Sequence, residues 1–316
     1  MTARTVLAMG LALAAALLGS AFGNAVPARL DTAVRLPTSG LRGSLQNPCW
    51  SPSGDRLVLT RWTRRYNEGR AIVVVVSAAR GGQTATLGPT NAESVNLPGA
   101  CWSRSTDEVV YTSDVEDGDQ VYVVRASGGT PRRITSPPQI AFEPTFSPDG
   151  SWIVFESHRA GPAGAIWKVR ADGSELQQLT TGYDDRQPSW APRGNLILFQ
   201  RHVSGRIDLW TMNVNGGRQR NITRTPGLEE TDASWSPSGR YIVFSSDGED
   251  IELASLFTMT AEGRARRQLT RTRGFYDGAP SWSPSGRRIA FESAPRDPEG
   301  SSGTHIWTIA APPGRG

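Results

Sequence analysis

The chain has 316 residues, of which 37% are hydrophobic and 20% are charged, a composition that excludes an intrinsically disordered protein. Its formal net charge is only +4 and no basic block stands out in the sequence, so nucleic-acid binding has no electrostatic basis. The 34 glycines and 22 prolines indicate a fold with many turns.

The N-terminus has the organisation of a secretory signal. Arg4 supplies a positive charge, and an uncharged apolar run extends from Val6 to Leu18. This run has the length of a signal-peptide core and is short for a membrane span. Small residues near Gly23 and Ala25 suit a cleavage site, so we assign residues 1–25 to a signal peptide. The expected protein is therefore exported, either periplasmic or secreted, with an uncleaved N-terminal anchor as the alternative; no later segment is apolar enough to span a bilayer.

An aromatic anchor followed by a tight turn recurs along the whole chain. The anchors are spaced by 44 to 52 residues: Trp50, Trp102, Phe146, Trp190, Trp235 and Trp282. In five of the six copies a Pro-x-Gly turn follows, as in Ser147-Pro148-Asp149-Gly150, whereas the second copy, Ser103-Arg104-Ser105-Thr106, has lost both residues. Proline presets φ in such a turn and glycine accepts a positive φ. This periodicity predicts a repeat architecture.

Each repeat contains the pattern of four short strands. In the third repeat, the turn is followed by Ile153-Val154-Phe155, then by a strand from Ile166 to Val169, and finally by a strand that ends in Leu179-Thr180. Four short strands in a period of about 45 residues are typical of a propeller blade. No window after the signal has helical periodicity. A β-sandwich is the competing architecture, but the regular four-strand period does not suit it.

We therefore predict an all-β protein in which residues 26–316 form a single six-bladed β-propeller with four antiparallel strands per blade. The sixth repeat ends after its third strand, His305 to Ile309, which would leave an exposed sheet edge. The segment 32–38 has the pattern of the missing fourth strand. We expect it to pair with the last blade and to close the ring.

The two cysteines, Cys49 and Cys101, each precede the anchor tryptophan of their repeat. The matching positions in the other repeats hold threonine or serine, so the favoured interpretation is packing of a small side chain. Equivalent positions on neighbouring inner strands are expected to lie roughly 8–10 Å apart, beyond the usual reach of a disulfide. A disulfide, which an exported protein can retain, is the alternative.

The repeated tract resembles the TolB-type WD-like propeller repeat. The resemblance rests on Pro-x-Trp, the Ser-Pro-Asp/Ser-Gly turn, the strand ending in Phe, and the Leu-Thr strand end. It covers about residues 30 to 310 and is strongest in three copies, 143–180, 187–223 and 280–309. It implies a propeller and, by analogy only, a place in a Tol–Pal-type assembly.

The chain departs from two better-known contexts of this repeat. TolB carries an α/β domain before its propeller, whereas here only a short segment separates the signal from the first blade. Propeller-containing peptidases carry a hydrolase domain, whereas here no Gly-x-Ser-x-Gly elbow occurs. We therefore expect a chain that consists of the propeller alone.

The resemblance implies that the loops before the first strand and after the second strand of each blade share one face. Long loops on a rigid scaffold commonly carry binding residues, although solvated loops are the alternative. The candidate binding residues on this face are Trp62, Arg65, Tyr66, Glu143, Tyr183, Asp184, Asp185, Arg186, Glu230, Asp232, Tyr276 and Asp277. Trp62 and Tyr66 depart from the repeat pattern and are favoured for direct ligand contact.

All three histidines, His158, His202 and His305, map to the same face. They are candidates for acid–base catalysis, or with carboxylates for metal binding, although surface histidines without a function are commoner. The segment 114–119 holds acidic residues and a glycine but lacks the spacing of an EF-hand, which favours an acidic hairpin tip over a Ca²⁺ loop. No metal and no cofactor are predicted.

These observations favour a monomeric, non-catalytic binding or scaffold protein for a protein or cell-envelope partner, with no nucleic acid. A carbohydrate lyase or hydrolase centred on the channel, using histidine and carboxylate side chains, is the alternative. Geometry discriminates between the two. Convergence of His158, His202 and a carboxylate within about 4–5 Å at the channel mouth would favour the enzyme.

Overall fold

The computed structural model describes residues 31–38, 40–90, 101–116, 118–247, 254–271, 274–295 and 303–315. These residues form 24 strands in six four-stranded sheets. Within these ranges no helix is long and apolar enough to cross a membrane. The predicted signal peptide, residues 1–25, lies outside the described residues and stays a prediction.

Each sheet is one blade, and its strands follow one another from the central channel outward. Blades 1 and 2 contain β2 (Ser44–Trp50), β3 (Arg56–Trp62), β4 (Ala71–Ser77) and β5 (Gln83–Leu87), then β6 (Cys101–Trp102), β7 (Glu108–Ser113), β8 (Gln120–Arg125) and β9 (Arg132–Arg133). Blades 3 and 4 contain β10 (Ala141–Phe146), β11 (Trp152–Ser157), β12 (Ala165–Arg170) and β13 (Gln177–Gln178), then β14 (Asp184–Trp190), β15 (Leu196–Val203), β16 (Arg206–Asn213) and β17 (Arg220–Asn221). Blades 5 and 6 contain β18 (Glu230–Trp235), β19 (Tyr241–Ser246), β20 (Ser255–Thr260) and β21 (Arg267–Gln268), then β22 (Phe275–Trp282), β23 (Arg288–Pro295) and β24 (His305–Ala310).

The predicted ring closure is confirmed. The strand β1 (Val34–Arg35) pairs antiparallel with β24, with Val34 opposite Thr308 and Arg35 opposite Trp307. The last blade therefore takes its outer strand from the start of the propeller, and the six-bladed fold with four antiparallel strands per blade is observed as predicted.

The threonine of each Leu-Thr strand end makes the same hydrogen bond in four blades, which explains why this residue pair recurs in the sequence. The hydroxyl of Thr180 accepts a hydrogen bond of 2.9 Å from the backbone N–H of Ile166, so a side chain replaces a backbone carbonyl at the end of the ladder. The same bond recurs in three other blades, between Thr135 and Val121, Thr223 and Leu209, and Thr270 and Leu256. A fourth strand of only two residues suffices in these blades because the threonine continues the pairing.

The anchor aromatics lie in the core between blades, as the repeat predicts. Trp50 is 8% exposed, and its indole N–H donates a hydrogen bond of 3.1 Å to the carbonyl of Ser281 in the neighbouring blade. Trp235 is 4% exposed and donates in the same way, at 3.2 Å, to Ser189. These two anchors therefore join neighbouring blades as well as fill the space between them.

The prediction that the two cysteines only pack is wrong, because Cys49 and Cys101 form a disulfide with a Cα–Cα distance of 5.3 Å. The expected separation was too large because the inner strands converge closely around the channel. At the matching position of blade 5, the hydroxyl of Ser234 already reaches the carbonyl of Pro280 in the next inner strand, at 2.8 Å. The bond joins the inner strands of blades 1 and 2.

Candidate functional site

A ring of five bulge residues surrounds the channel, each placed three residues before an anchor aromatic. We call this set the bulge ring: Asn47, Glu143, Gln187, Asp232 and Ala279. All five have a positive φ between 46° and 55°, and the strand register shifts at each of them. The ring lines a cavity of about 130 Å³. Bulges of this kind aim side chains into a shared space and are frequent next to functional sites.

The bulge ring is tied together by hydrogen bonds that pass from blade to blade. The carboxylate of Glu143 accepts a bond of 2.7 Å from the N–H of Gln187. The side chain of Gln187 accepts from the N–H of Asp232 at 3.1 Å, and Asp232 accepts from Ala279 at 3.2 Å. Each polar side chain therefore satisfies the backbone of the next blade, which supports the strained bulge conformation.

The side chain of Ala279 has no hydrogen-bond acceptor, so the series of bonds between blades cannot continue from it. Glu292 of β23 supplies the next acceptor instead. Glu292 accepts a hydrogen bond of 2.9 Å from the N–H of Asn47. Burial raises the pKa of Glu292 to about 8, and the charge of Asp232 adds to the rise against the opposing effect of the Asn47 bond. Burial also raises the pKa of Tyr66, and the nearby carboxyl groups of Glu292 and Asp232 raise it further.

A second set of polar side chains lies at the channel mouth of blades 3 and 4. We call it the channel-mouth network: Glu156, His158, Asp184, Arg186 and His202. The Nε2 atom of His158 lies 3.1 Å from Oε1 of Glu156, and Nε of Arg186 lies 4.0 Å from the same oxygen. Arg186 also donates two hydrogen bonds to Asp184, of 3.0 and 2.8 Å. The Nδ1 atom of His202 lies 4.0 Å from Oδ2 of Asp184, so the network is continuous from one histidine to the other.

Strand alternation explains why these residues meet. Asp184 and Arg186 are two apart on β14, so both side chains lie on the same side of that strand. Glu156 lies on β11 of blade 3, and His158 follows two residues later, just beyond the strand end. Arg186 then connects the two blades across the channel mouth.

The network gives its two histidines different proton affinities. A hydrogen bond from the ring of His158 to the carboxylate of Glu156 is the main reason that the pKa of His158 is raised, against the opposing effect of burial. Burial lowers the pKa of His202, and the charge of Arg186 lowers it further. Burial would raise the pKa of Asp184, but hydrogen bonds from Arg186 and from the N–H of Gly164 outweigh it and hold that pKa below its usual value.

Glu143 connects the bulge ring to the channel-mouth network. Burial raises the pKa of Glu143 well above its ordinary value, and the charge of Glu156 and a hydrogen bond with it raise this pKa further. Glu143 therefore holds its proton more strongly than an ordinary carboxyl group. The site can offer a fixed guanidinium, a buried carboxyl group of raised pKa and two histidines to a bound molecule.

Two predicted binding residues are themselves completely buried and form ion pairs within their blades. Asp185 is 0% exposed and binds Arg201 through two hydrogen bonds, of 2.6 and 2.8 Å. Glu230 is likewise 0% exposed and lies 2.8 Å from Arg266. Both arginines stack on aromatic rings of their own blade. These two acids therefore lie in the cores of blades 4 and 5 and are not accessible to a partner.

The aromatic candidates differ in how much of their surface is exposed. Trp62 is only 5% exposed and donates a hydrogen bond of 3.0 Å from its indole to Gln46, so it belongs to the blade core. Tyr66 keeps 39% of its surface exposed although protein surrounds it at the channel mouth. Tyr183 is 49% exposed, and the guanidinium carbon of Arg201 lies 4.2 Å from the centre of its ring. Tyr66 and Tyr183 therefore remain accessible to a partner, and Trp62 does not.

The remaining candidates lie apart from the network. His305 contacts Arg35, with 3.0 Å between Nη2 and a ring nitrogen, on the outer strands of blade 6. Arg65 is exposed in the loop after β3. Tyr276 is half-buried, and Asp277 is buried on β22.

The structure offers no metal centre in the ranges it describes, where no group of three or more His, Cys, Asp or Glu residues is arranged to hold an ion. Three predicted loops are only partly covered: residue 117 of the acidic hairpin tip, residues 248–253 and residues 296–302 lie outside the described residues.

Sequence reasoning missed the carboxyl groups of Glu156 and Glu292. Both occur in the same three-residue context, Phe155-Glu156-Ser157 and Phe291-Glu292-Ser293. The phenylalanine is fully buried in both blades, so alternation places the following glutamate on the opposite side of the strand. A charged residue that follows the buried phenylalanine of a second strand was the signal that could have identified them.

Comparison with known proteins agrees with this architecture. A family model described as the TolB beta propeller domain matches residues 24–228. The Tol-Pal system protein TolB of Bordetella pertussis is 28% identical over 220 residues, a match that covers 55% of this chain and 48% of that protein. This chain spans about half the length of the curated relatives it matches.

Solved structures show the same fold. A TolB-type protein from Agrobacterium tumefaciens superposes with a TM-score of 0.64 at 22% identity, over 85% of this chain and 90% of that one. An oligogalacturonate lyase in complex with manganese superposes with a TM-score of 0.56 at 13% identity, over 92% and 99% of the two chains. These likenesses concern the fold alone. The family model, which matches well over half of the sequence, shows that the chain belongs to the TolB beta propeller domain family.

Proposed function

We propose that this protein is an exported, monomeric propeller that binds a protein or cell-envelope partner through the channel mouth of blades 3 and 4. The observation that carries the proposal is the state of Arg186. Its guanidinium is fixed by two hydrogen bonds to Asp184, yet its side chain is still 35% exposed. A charged group held in one orientation loses little conformational entropy when it binds a partner.

Tyr183, three residues before Arg186 in the chain, adds an exposed aromatic side chain. Its ring rests on the guanidinium of Arg201, which is itself held by Asp185 and by a hydrogen bond of 2.8 Å to Gln219. Exposed tyrosine and arginine side chains on a rigid support are the residues that most often dominate binding energy at protein interfaces. Tyr66, across the channel mouth, provides a second accessible aromatic side chain.

Two further observations support this assignment. A relative that matches over half of this chain is named as a Tol-Pal system protein, which favours a binding role in the cell envelope. The Cys49–Cys101 disulfide is of the kind that persists in oxidising compartments and fits the predicted signal peptide at residues 1–25.

The experiment compares proteins captured from envelope extract by three immobilised forms of the chain after brief cross-linking. The test variant is Tyr183→Ala/Arg186→Gln. The matched control is Leu176→Ala/Arg125→Gln, which also removes one exposed apolar side chain and one exposed arginine but lies away from the channel mouth.

We expect the parent and the control to capture the same partner and the test variant to capture at least about tenfold less, since hydrogen bonds to a charged group contribute about 1.5–3 kcal/mol. Equal capture by all three forms, with circular dichroism confirming that each is folded, would place the partner site elsewhere.

The enzyme alternative is favoured by one observation, the convergence of the two histidines on carboxylates. His158 lies 3.1 Å from Glu156 and His202 lies 4.0 Å from Asp184, with Arg186 between the two acids. Such a pair of histidines with opposite pKa shifts can act as acid and base on an anionic substrate. Elimination and hydrolysis are the reactions that histidines beside carboxylates can support.

This alternative is tested by incubating the protein with acidic oligosaccharides and recording absorbance of unsaturated products and release of reducing ends. Activity that His202→Gln abolishes would establish the enzyme. Inactivity of the parent protein, together with partner capture that depends on Arg186, would leave the binding function.

A further inference from the structure

Four arginines lie on the outer strands of blades 4 and 5 and in the hairpins that lead into them. We call this set the arginine rim: Arg218, Arg220, Arg264 and Arg267. All four are exposed, and none forms an ion pair with the residues that the structure describes. They stand out because the net charge of the whole chain is only +4.

Contacts between the two blades make the rim continuous. The Nη2 atom of Arg220 on β17 donates a hydrogen bond of 3.1 Å to the carbonyl of Glu262 in the hairpin of blade 5. In the same hairpin, a Cβ on Gly263 would lie only 1.9 Å from the carbonyl oxygen of Ile222, so the two backbones touch. Arg264 follows that glycine directly and therefore lies beside the outer strand that carries Arg220.

Few acidic groups oppose this charge. Residues 213–228 contain three arginines and no acid, and residues 260–271 contain Glu262 as their single acid. Asp208 lies near β17, where its two oxygens accept hydrogen bonds from Asn221, at 2.9 Å, and from Thr223, at 3.1 Å. The arginines of the rim outnumber Asp208 and Glu262, so the rim presents a net positive surface.

The rim also lacks the apolar side chains that a protein interface would use. The large hydrophobic side chains exposed in the described residues are Val34, Tyr66, Leu176, Tyr183 and Val203. None of them belongs to the segments 213–228 or 260–271. A predominantly cationic surface without aromatic or aliphatic anchors suits a charged layer better than the core of a protein–protein interface.

We propose that the arginine rim docks the propeller onto an anionic membrane surface through the phosphates of lipid headgroups. Guanidinium groups match phosphate oxygens with two parallel hydrogen bonds, and clustered arginines are attracted to anionic lipid within a Debye length. The rim lies on the outer edge of blades 4 and 5, whereas the channel mouth opens at the axis. The propeller can therefore rest on a membrane with its partner site still open.

The experiment measures cosedimentation of the purified protein with vesicles of phosphatidylcholine alone and of phosphatidylcholine mixed with phosphatidylglycerol. The test variant is Arg218→Gln/Arg220→Gln/Arg267→Gln. The control is Arg80→Gln/Arg125→Gln/Arg287→Gln, which removes the same charge from exposed positions in blades 1, 2 and 6.

We expect the parent and the control to bind only the vesicles that contain phosphatidylglycerol, with affinity that falls as salt is raised. The test variant should bind roughly 100-fold more weakly, since each arginine near such a surface contributes about 1 kcal/mol. Thermal unfolding of the three proteins checks that all are folded. Equal weakening in the test and control variants, equal binding to both vesicle types, or unchanged binding of the test variant would each overturn the proposal.

Discussion

Two consecutive aspartates on β14 show how one strand builds both the framework and the candidate site. Asp184 and Asp185 each hold an arginine through two hydrogen bonds. The Asp185–Arg201 pair is buried, with exposed side-chain fractions of 0% and 3%, whereas the Asp184–Arg186 pair keeps 25% and 35%. Alternation of side chains along a strand sends the two acids to opposite sides, so the same chemistry stabilises the blade on one side and remains available to a partner on the other.

The difference in burial sets the energetic role of each pair. Removing one partner of a buried ion pair leaves an uncompensated charge, which costs about 3–5 kcal/mol. A half-exposed pair is solvated by water when its partner is lost and contributes about 1 kcal/mol or less. The comparison therefore predicts that stability depends mainly on Asp185 and binding mainly on Asp184 and Arg186.

The largest expected effect comes from Asp185→Ala. We expect the free energy of unfolding to fall by about 3–5 kcal/mol, because Arg201 would be left buried without its carboxylate. Urea unfolding followed by tryptophan fluorescence measures this loss. The matched variant Asp184→Ala should lose about 1 kcal/mol. Similar losses in the two variants would remove the distinction between the pairs.

Glu292 extends the comparison to a buried acid without an arginine. Because its pKa in the folded protein is raised to about 8, this carboxyl keeps a proton that the unfolded chain releases. Its contribution to stability is fully present below the unfolded pKa near 4.5 and is lost as the pH rises through about 8.

Glu292→Gln preserves an oxygen that accepts from Asn47 and removes the ionisation. We expect this variant to be more stable than the parent at pH 8 by on the order of 4 kcal/mol and nearly equal to it at pH 4.5. Urea unfolding at the two pH values measures the difference. The exposed control Glu68→Gln should show no such trend, and a parent whose stability does not fall between these pH values would contradict the prediction.

The two histidines of the channel-mouth network have the smallest expected effects on stability, and their contributions depend on pH in opposite directions. The raised pKa of His158 means that its contribution is present below the unfolded value of 6.5 and is lost as the pH rises through the folded pKa. The lowered pKa of His202 means that its contribution is present above 6.5 and is lost as the pH falls through the folded pKa.

We therefore expect His158→Gln to be more destabilising at pH 6 than at pH 9, by about 1 kcal/mol or less. His202→Gln should become relatively more stable than the parent as the pH falls below 6.5, the unperturbed value. Thermal unfolding across this pH range resolves the two trends. Trends of the same sign would mean that the two histidines do not occupy different environments.

The six-bladed fold could be predicted because the aromatic anchor, the turn and the Leu-Thr strand end recur in the same order at a nearly constant spacing. The closure by residues 32–38 was also predictable, because an incomplete last blade requires an outer strand. The disulfide was not, because its feasibility depends on how closely the inner strands converge, and spacing in the sequence carries no measure of that distance.

The site was predicted only in part because strands begin and end at positions that sequence reasoning placed in loops. The strand β3 extends to Trp62 and carries this side chain into the core, so the exposed loop starts only at Thr63. The strand β14 already begins at Asp184, so alternation separates Asp185 from its neighbours. Residues assigned to one solvated loop therefore divide between the core and the channel mouth.

The most direct test of the account is a pair of binding titrations with the captured partner, using Arg186→Gln and Arg201→Gln. We predict that Arg186→Gln weakens binding by about 10- to 100-fold while its free energy of unfolding changes by about 1 kcal/mol or less. Arg201→Gln should lose about 3–5 kcal/mol of stability. Its folded fraction should lose only the support of the Tyr183 ring and should therefore bind better than Arg186→Gln. Parent-like binding by folded Arg186→Gln would contradict the account.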